Sequence, residues 1–184
     1  TIPYDSALLP ERVMELAMPL RLQKALADLA QDNHLGHSAA HLSLGYKYLA
    51  LGQYALADQE FQIAQTEGHL AEAVYVVLVA MRHQADIYLA QGKLRRAAQL
   101  YQEGITYGLA QNQGNPFPPA GYSYAGLGQI LYEQNDLSQA EQHLTQALEL
   151  GRLMADKHII RLALIPLLWL KQVTGDSAAI PALW

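Results

Sequence analysis

Apolar positions along the chain recur at helical spacing. Leu42, Leu44, Tyr48, Leu49 and Leu51 keep the 3.6-residue period, and so do Leu137, Ala140, Leu144, Ala147 and Leu148. No stretch alternates apolar and polar residues long enough for a half-buried strand. Val74–Met81 is rich in β-branched residues, which on their own suit a strand. It runs unbroken into a helical pattern ending at Gln91, so helix is predicted there. The chain is expected to be all-α.

These helices are punctuated at a fixed interval. Leu44-Gly45, Tyr48 and Gly52 are followed by Ala57, Phe61 and Ala64. Ala85, Tyr88 and Gly92 are followed by Ala97, Tyr101 and Gly104. Leu127-Gly128, Leu131 and Asn135 are followed by Ala140, Leu144 and Ala147. The internal spacing is the same each time: small, large, turn residue, small, large, small. The turn residues Gly52, Gly92 and Asn135 stand 40 and 43 residues apart, and a further 40 residues reach Gly175. Glycine and asparagine tolerate the left-handed backbone that ends a helix. Gly45, Ala85 and Gly128 would let two helices approach closely. Phe61, Tyr101 and Leu144 would fill the space between one pair and the next.

Helix–turn–helix units of this kind stack on their neighbours to bury a continuous core. The spacing resembles the tetratricopeptide repeat, with a period of 40–43 residues instead of about 34 and without its closing proline, where His69 stands in the first unit. The resemblance implies a right-handed α-solenoid with one helical-repeat domain over 1–184. Residues 1–36 read as a leader with a capping or trailing helix from about Pro10 to Ala30. Repeats follow at 37–69, 70–111 and 112–153, with a truncated fourth at 154–184. Gln111–Ala120 holds three prolines and cannot be continuous helix. Pro118 or Pro119 suits the first turn of the helix after it. Pro166 lies within an apolar helical run and should either kink that helix or mark its start.

Composition narrows the chemistry. Of 184 residues, 51% are hydrophobic and 16% charged, which excludes a disordered chain. Seventeen acidic residues against twelve basic ones leave a net charge of -5, so the surface is neither a nucleic-acid footprint nor suited to an anionic membrane. The longest apolar runs, Val74–Met81 and Ile159–Leu170, are too short to span a bilayer, and no signal peptide is visible. The chain has no cysteine, hence no disulfide or thiolate site. A cytoplasmic location is expected on these grounds.

A local string points further. Ala125-Gly-Leu-Gly-Gln-Ile-Leu-Tyr-Glu-Gln-Asn-Asp-Leu-Ser-Gln-Ala-Glu-Gln-His-Leu144, after the prolines at 116, 118 and 119, is similar to the helical-repeat region of the MalT-like, LuxR-type large transcription activators. The resemblance covers roughly His37 to Gly175. In that family the array is the effector sensor, beside a nucleotide-binding switch, a winged-helix segment and a DNA-binding helix-turn-helix. The sequence contains no Gly-x-x-x-x-Gly-Lys-Ser/Thr loop and no basic cluster for reading DNA. The resemblance therefore implies a sensor segment that neither hydrolyses ATP nor binds DNA by itself.

In such a solenoid the first helix of each pair lines the concave face. Mapped onto this chain, that face offers Leu42, Tyr46 and Leu49, then Arg82, His83, Asp86 and Leu89. It continues with Tyr122, Gln129, Tyr132 and Glu133, then Ile165, Trp169 and Gln172. Leu42, Leu49, Leu89 and Ile165 read as core. The ligand-binding set is Tyr46, Arg82, His83, Asp86, Tyr122, Gln129, Tyr132, Glu133 and Trp169. Aromatic faces with planar donors and acceptors suit a polar ring-shaped effector or a peptide. The plainer reading of Arg82 and Asp86 is an (i, i+4) ion pair on a solvated helix.

Other signals are weaker. His34, His37 and His41 have metal-like spacing, but no carboxylate or cysteine completes a site and the His34 side reads as loop. Ser43, Ser123, Ser138 and Ser177 have no recognisable base near them. No cofactor, metal or catalysis is expected. The alternative to an effector is a protein or peptide partner held on a generic repeat scaffold. Self-association through an apolar C-terminal end, with Ile180, Leu183 and Trp184, is a further expectation.

Overall fold

The computed structural model describes residues 20–24 and 26–176. Short helical stretches at 20–24 and 26–27 precede seven α-helices, and no strand occurs among the described residues. These are α1 (His34–Ala50), α2 (Tyr54–Leu70), α3 (Val74–Ala90), α4 (Leu94–Gln111), α5 (Gly121–Glu133), α6 (Leu137–Leu153) and α7 (Lys157–Val173). A 3₁₀ turn, Pro118–Ala120, leads into α5. Most of the expected leader helix and the apolar residues Ile180, Leu183 and Trp184 lie outside the described residues.

Every expected turn residue has the left-handed backbone: φ is +71° at Gly52, +72° at Gly92, +63° at Asn135 and +75° at Gly175. At the first three, one hydrogen-bond pattern closes the helix. The Gln53 N–H reaches the Tyr48 carbonyl at 2.9 Å while the Gly52 N–H reaches Leu49 at 3.0 Å. Lys93 and Gly92 repeat this on Tyr88 and Leu89, and Asp136 and Asn135 on Leu131 and Tyr132. Both bonds satisfy carbonyls that a helix end leaves open. The same closure joins one pair to the next, with residues the sequence did not single out. Glu72 and Ala155 both sit at φ +54°, and the following Ala73 and Asp156 donate to Gly68 and Gly151.

The described chain forms two compact units, one ending at Ala80 and one starting at Met81. In the first, α1 and α2 form an antiparallel hairpin. A Cβ at Gly45 would fall 2.4 Å from the buried Phe61 ring, so glycine there lets α2 come close. Phe61 thus fills its own pair, where filling between pairs was expected. The histidines also differ from expectation. His34 is the first residue of α1, not loop, and its Nδ1 lies 2.8 Å from Glu67. His41 Nδ1 lies 2.6 Å from Glu60. Both carboxylates come from α2, out of reach of a spacing argument. No group of three or more ligating side chains is placed to hold a metal among the described residues.

The second unit packs the rest of α3 and α4–α7 around Tyr101, Ile105, Ile130, Leu144, Leu148, Ile159 and Leu167. A Cβ at Gly128 would meet Leu144 at 2.7 Å, again within one pair. Tyr101 does bridge pairs: a Cβ at Gly126 of α5 would fall 2.4 Å from its ring. Pro166 lies inside α7 and does not start it. Val74–Met81 is helix, in α3. Of the four residues read as core, Leu42, Leu49 and Leu89 are half-buried, whereas Ile165 is 40% exposed and is not core.

Candidate functional site

Four of the nine candidate residues meet in the second unit. Arg82 and Asp86 stand one turn apart on α3, so they share a face, with Arg82 Nε 3.1 Å from Asp86 Oδ2. The guanidinium carbon lies 4.1 Å from the ring centroid of Tyr122, in the first turn of α5, a cation–π stack between successive first helices. The Tyr122 hydroxyl donates to Asp156 at 2.8 Å. Asp156 caps α7, accepting from the backbone N–H of His158 at 2.8 Å and of Ile159 at 3.2 Å. The His158 ring lies 5.7 Å from that of Tyr122. One array of side chains therefore connects α3, α5 and α7.

The buried end of the array is neutral or hydrogen-bonded. Tyr101 donates to Asp86 at 2.5 Å. Burial, then the Asp86 charge and this bond, raise the Tyr101 phenol well above its usual range. His83 is buried beside them, and burial with the Arg82 charge lowers it to about 3. Asp86 approaches its Nδ1 to 3.6 Å, but that carboxylate is already engaged by Arg82 and Tyr101, so burial prevails. Arg82 Nη1 lies 3.4 Å from His83 Nε2, an arrangement that suits a neutral, accepting imidazole. Burial would raise the Asp156 carboxyl, yet the bonds from Tyr122, Ile159 and His158, with the His158 charge, hold it below the usual carboxylate range.

The other candidates stand apart from this array. Gln129 and Tyr132 are half-buried on α5, and Glu133 is exposed at its end. Trp169 is 54% exposed on α7, one turn beyond Ile165. No hydrogen bond, ion pair or ring contact joins these four to one another or to the array among the described residues. Tyr46 belongs to the first unit, exposed on α1 with its ring edge-on to Phe61 at 5.8 Å.

Sequence reasoning missed Tyr101, Asp156 and His158. Tyr101 was assigned to packing alone, which its ring performs while its hydroxyl holds Asp86. Asp156 carried a signal, an aspartate just before an apolar helical run. Its bond to Tyr122, 34 residues earlier, carried none.

No curated protein matches the chain. Among solved structures, BtubC (BKLC) from P. vanneervenii is similar with a TM-score of 0.68 at 16% identity, over 97% of this chain and 71% of that one. A putative kinesin light chain from Podosopora anserina with nearly identical TPR-like repeats gives a TM-score of 0.57 at 15% identity, over 99% of this chain and 93% of its own. A singly substituted form of that protein gives 0.58 at 15% identity, over 100% and 93%. At such identities the likeness shows the fold alone, the all-α repeat fold expected from the spacing. The family profile described as the MalT-like TPR region matches residues 10–180. The chain therefore belongs to the MalT-like TPR region family.

Proposed function

We propose that the chain is a non-catalytic binding module, the effector-sensing helical-repeat segment of a MalT-like, LuxR-type transcription regulator of a bacterial cytoplasm. It takes a small polar metabolite or a regulatory protein on the face formed by its first helices. The observation that carries this reading is the contrast on those helices. Arg82, Tyr122 and Asp156 form a fixed polar array, while Trp169 and Ile165 are left facing solvent on α7. A tryptophan more than half exposed is a recurrent mark of a recognition surface. Binding would act by favouring one arrangement of the repeats over another.

A thermal-shift screen of sugars and related metabolites tests it. A saturable rise in melting temperature is expected, lost on Arg82→Ala or Trp169→Ala. No response at millimolar concentration overturns the metabolite reading, and an affinity indifferent to both substitutions overturns the site. A second reading, a scaffold for a partner's peptide or helix, is favoured by one feature. Ile165, Trp169 and Val173 form an exposed apolar stripe at four-residue spacing on α7. Stoichiometric capture of one identified protein, without any metabolite response, selects it.

A further inference from the structure

The start of α5 and the start of α7 fix how these two first helices are aligned. The Tyr122 ring lies 5.7 Å from that of His158, its hydroxyl reaches Asp156 at 2.8 Å, and a Cβ on Gly121 would fall 3.2 Å from Ile159. A residue at the start of α5 therefore stands beside an α7 residue 34–38 positions later. The tight turns on either side of α6 reverse the chain twice, so α5 and α7 run in the same direction and carry this alignment along their length. Eleven residues make three helical turns, with a drift of only about 20°. Three turns on from Tyr122 is Glu133, and three turns on from His158 is Trp169. The alignment brings a carboxylate beside an indole, on a face where both are exposed, Trp169 by 54%. One turn earlier, Gln129 of α5 and Ile165 of α7 stand side by side in the same way.

Glu133 is the last residue of α5, where the carbonyl end of the helix already has negative character. Lys47, Arg152 and Lys171 offset that charge in the last turns of α1, α6 and α7, whereas α5 has no basic residue there. No ion pair neutralises Glu133 among the described residues. Lys93, after the turn that ends α3, holds its ammonium over the Tyr88 ring at 5.4 Å. A carboxylate, the negative end of a helix and the face of an indole all favour one kind of ligand, a cation. The chain already uses this chemistry within its array, where the Arg82 guanidinium lies 4.1 Å over Tyr122. We propose that Glu133 and Trp169, with Gln129 and Ile165 beside them, hold the cationic group of the effector, a small quaternary or protonated amine. Its charge lies between the indole face and the carboxylate, and its alkyl groups lie toward Ile165. A neutral ligand would stack on the indole but leave the negative charge uncompensated. The proposal rests on the reading of the first helices as the effector face and names the effector's chemistry. Both groups are exposed, so binding by this part of the effector alone is weak, in the millimolar range.

The chain has two tryptophans, Trp169 and Trp184, so two-dimensional NMR of the indole N–H groups reads the proposal, with Trp184→Phe to assign them. Choline chloride is the probe, at an ionic strength held constant with sodium chloride. It should shift the Trp169 resonance saturably. Its neutral isostere, with a tert-butyl group in place of the trimethylammonium, should bind at least about fivefold more weakly. Glu133→Gln should weaken choline by a similar factor at an unchanged melting temperature, and Glu149→Gln on the outside of α6 should leave the affinity as it is. Three results overturn the proposal: no shift of the Trp169 resonance, equal affinity for choline and its isostere, or an affinity indifferent to Glu133→Gln. Sugars that raise the melting temperature through Trp169, while choline has no effect, would overturn it and leave the effector reading standing. The absence of both responses overturns both.

Discussion

Single residues set where each helix stops. Four turn positions of helix pairs carry glycine or asparagine, but Ala155, between α6 and α7, adopts φ +54° with a side chain that disfavours it. That conformation costs an L residue roughly 1 kcal/mol, which glycine avoids at a smaller entropic loss. Ala155→Gly should therefore raise stability by up to about 1 kcal/mol, seen as a melting point about 2–4 °C higher. An unchanged or lower melting point would show that the turn is unstrained. His83 makes a prediction in pH. Folded, it stays neutral down to about 3. Unfolded, it takes a proton near its ordinary value of about 6.5. Between those values acid protonates only the unfolded chain, so stability is complete above about 6.5 and falls as pH falls. His83→Gln should flatten the dependence of urea stability between pH 7 and 5, and equal slopes in parent and variant would contradict the buried, neutral assignment.

At the scale of elements, one aspartate serves two of them. Asp156 closes the N-terminus of α7 and accepts the hydroxyl of Tyr122 from α5. Asp156→Ala removes both and should cost about 1–2 kcal/mol, the upper range for a lost cap. Tyr122→Phe removes only the bond and should cost about 1 kcal/mol or less. Equal losses in the two variants, by chemical denaturation, would mean that the cap contributes nothing. The helix pairs themselves were legible because the first helix of each ends on glycine or asparagine in the left-handed backbone, and because small residues lie under large ones, as Gly45 does under Phe61. The joins at Glu72 and Ala155 were not, since nothing in those residue types announces a left-handed turn. The His41–Glu60 and Tyr122–Asp156 contacts were hidden for a different reason. They depend on how two helices are aligned in space, which a one-dimensional period leaves open.

At the scale of the molecule, the repeat period and a single sequence string were enough to reach the family, because packing small against large constrains every pair alike. The candidate site was legible only in part. Arg82, His83, Asp86 and Tyr122 do come together, but their polar groups engage one another and two partners, Tyr101 and Asp156, that the pattern did not mark. On α7, Ile165, Trp169 and Val173 remain exposed outside this array. In the function proposed above, the first helices, and not the outward faces of the second ones, bind the effector. Amide hydrogen exchange, with and without an effector found by thermal shift, tests this most directly. Slower exchange is expected along 82–90, 121–133 and 165–173, with α4 and α6 unchanged. Slowing confined to α4 and α6 would contradict it.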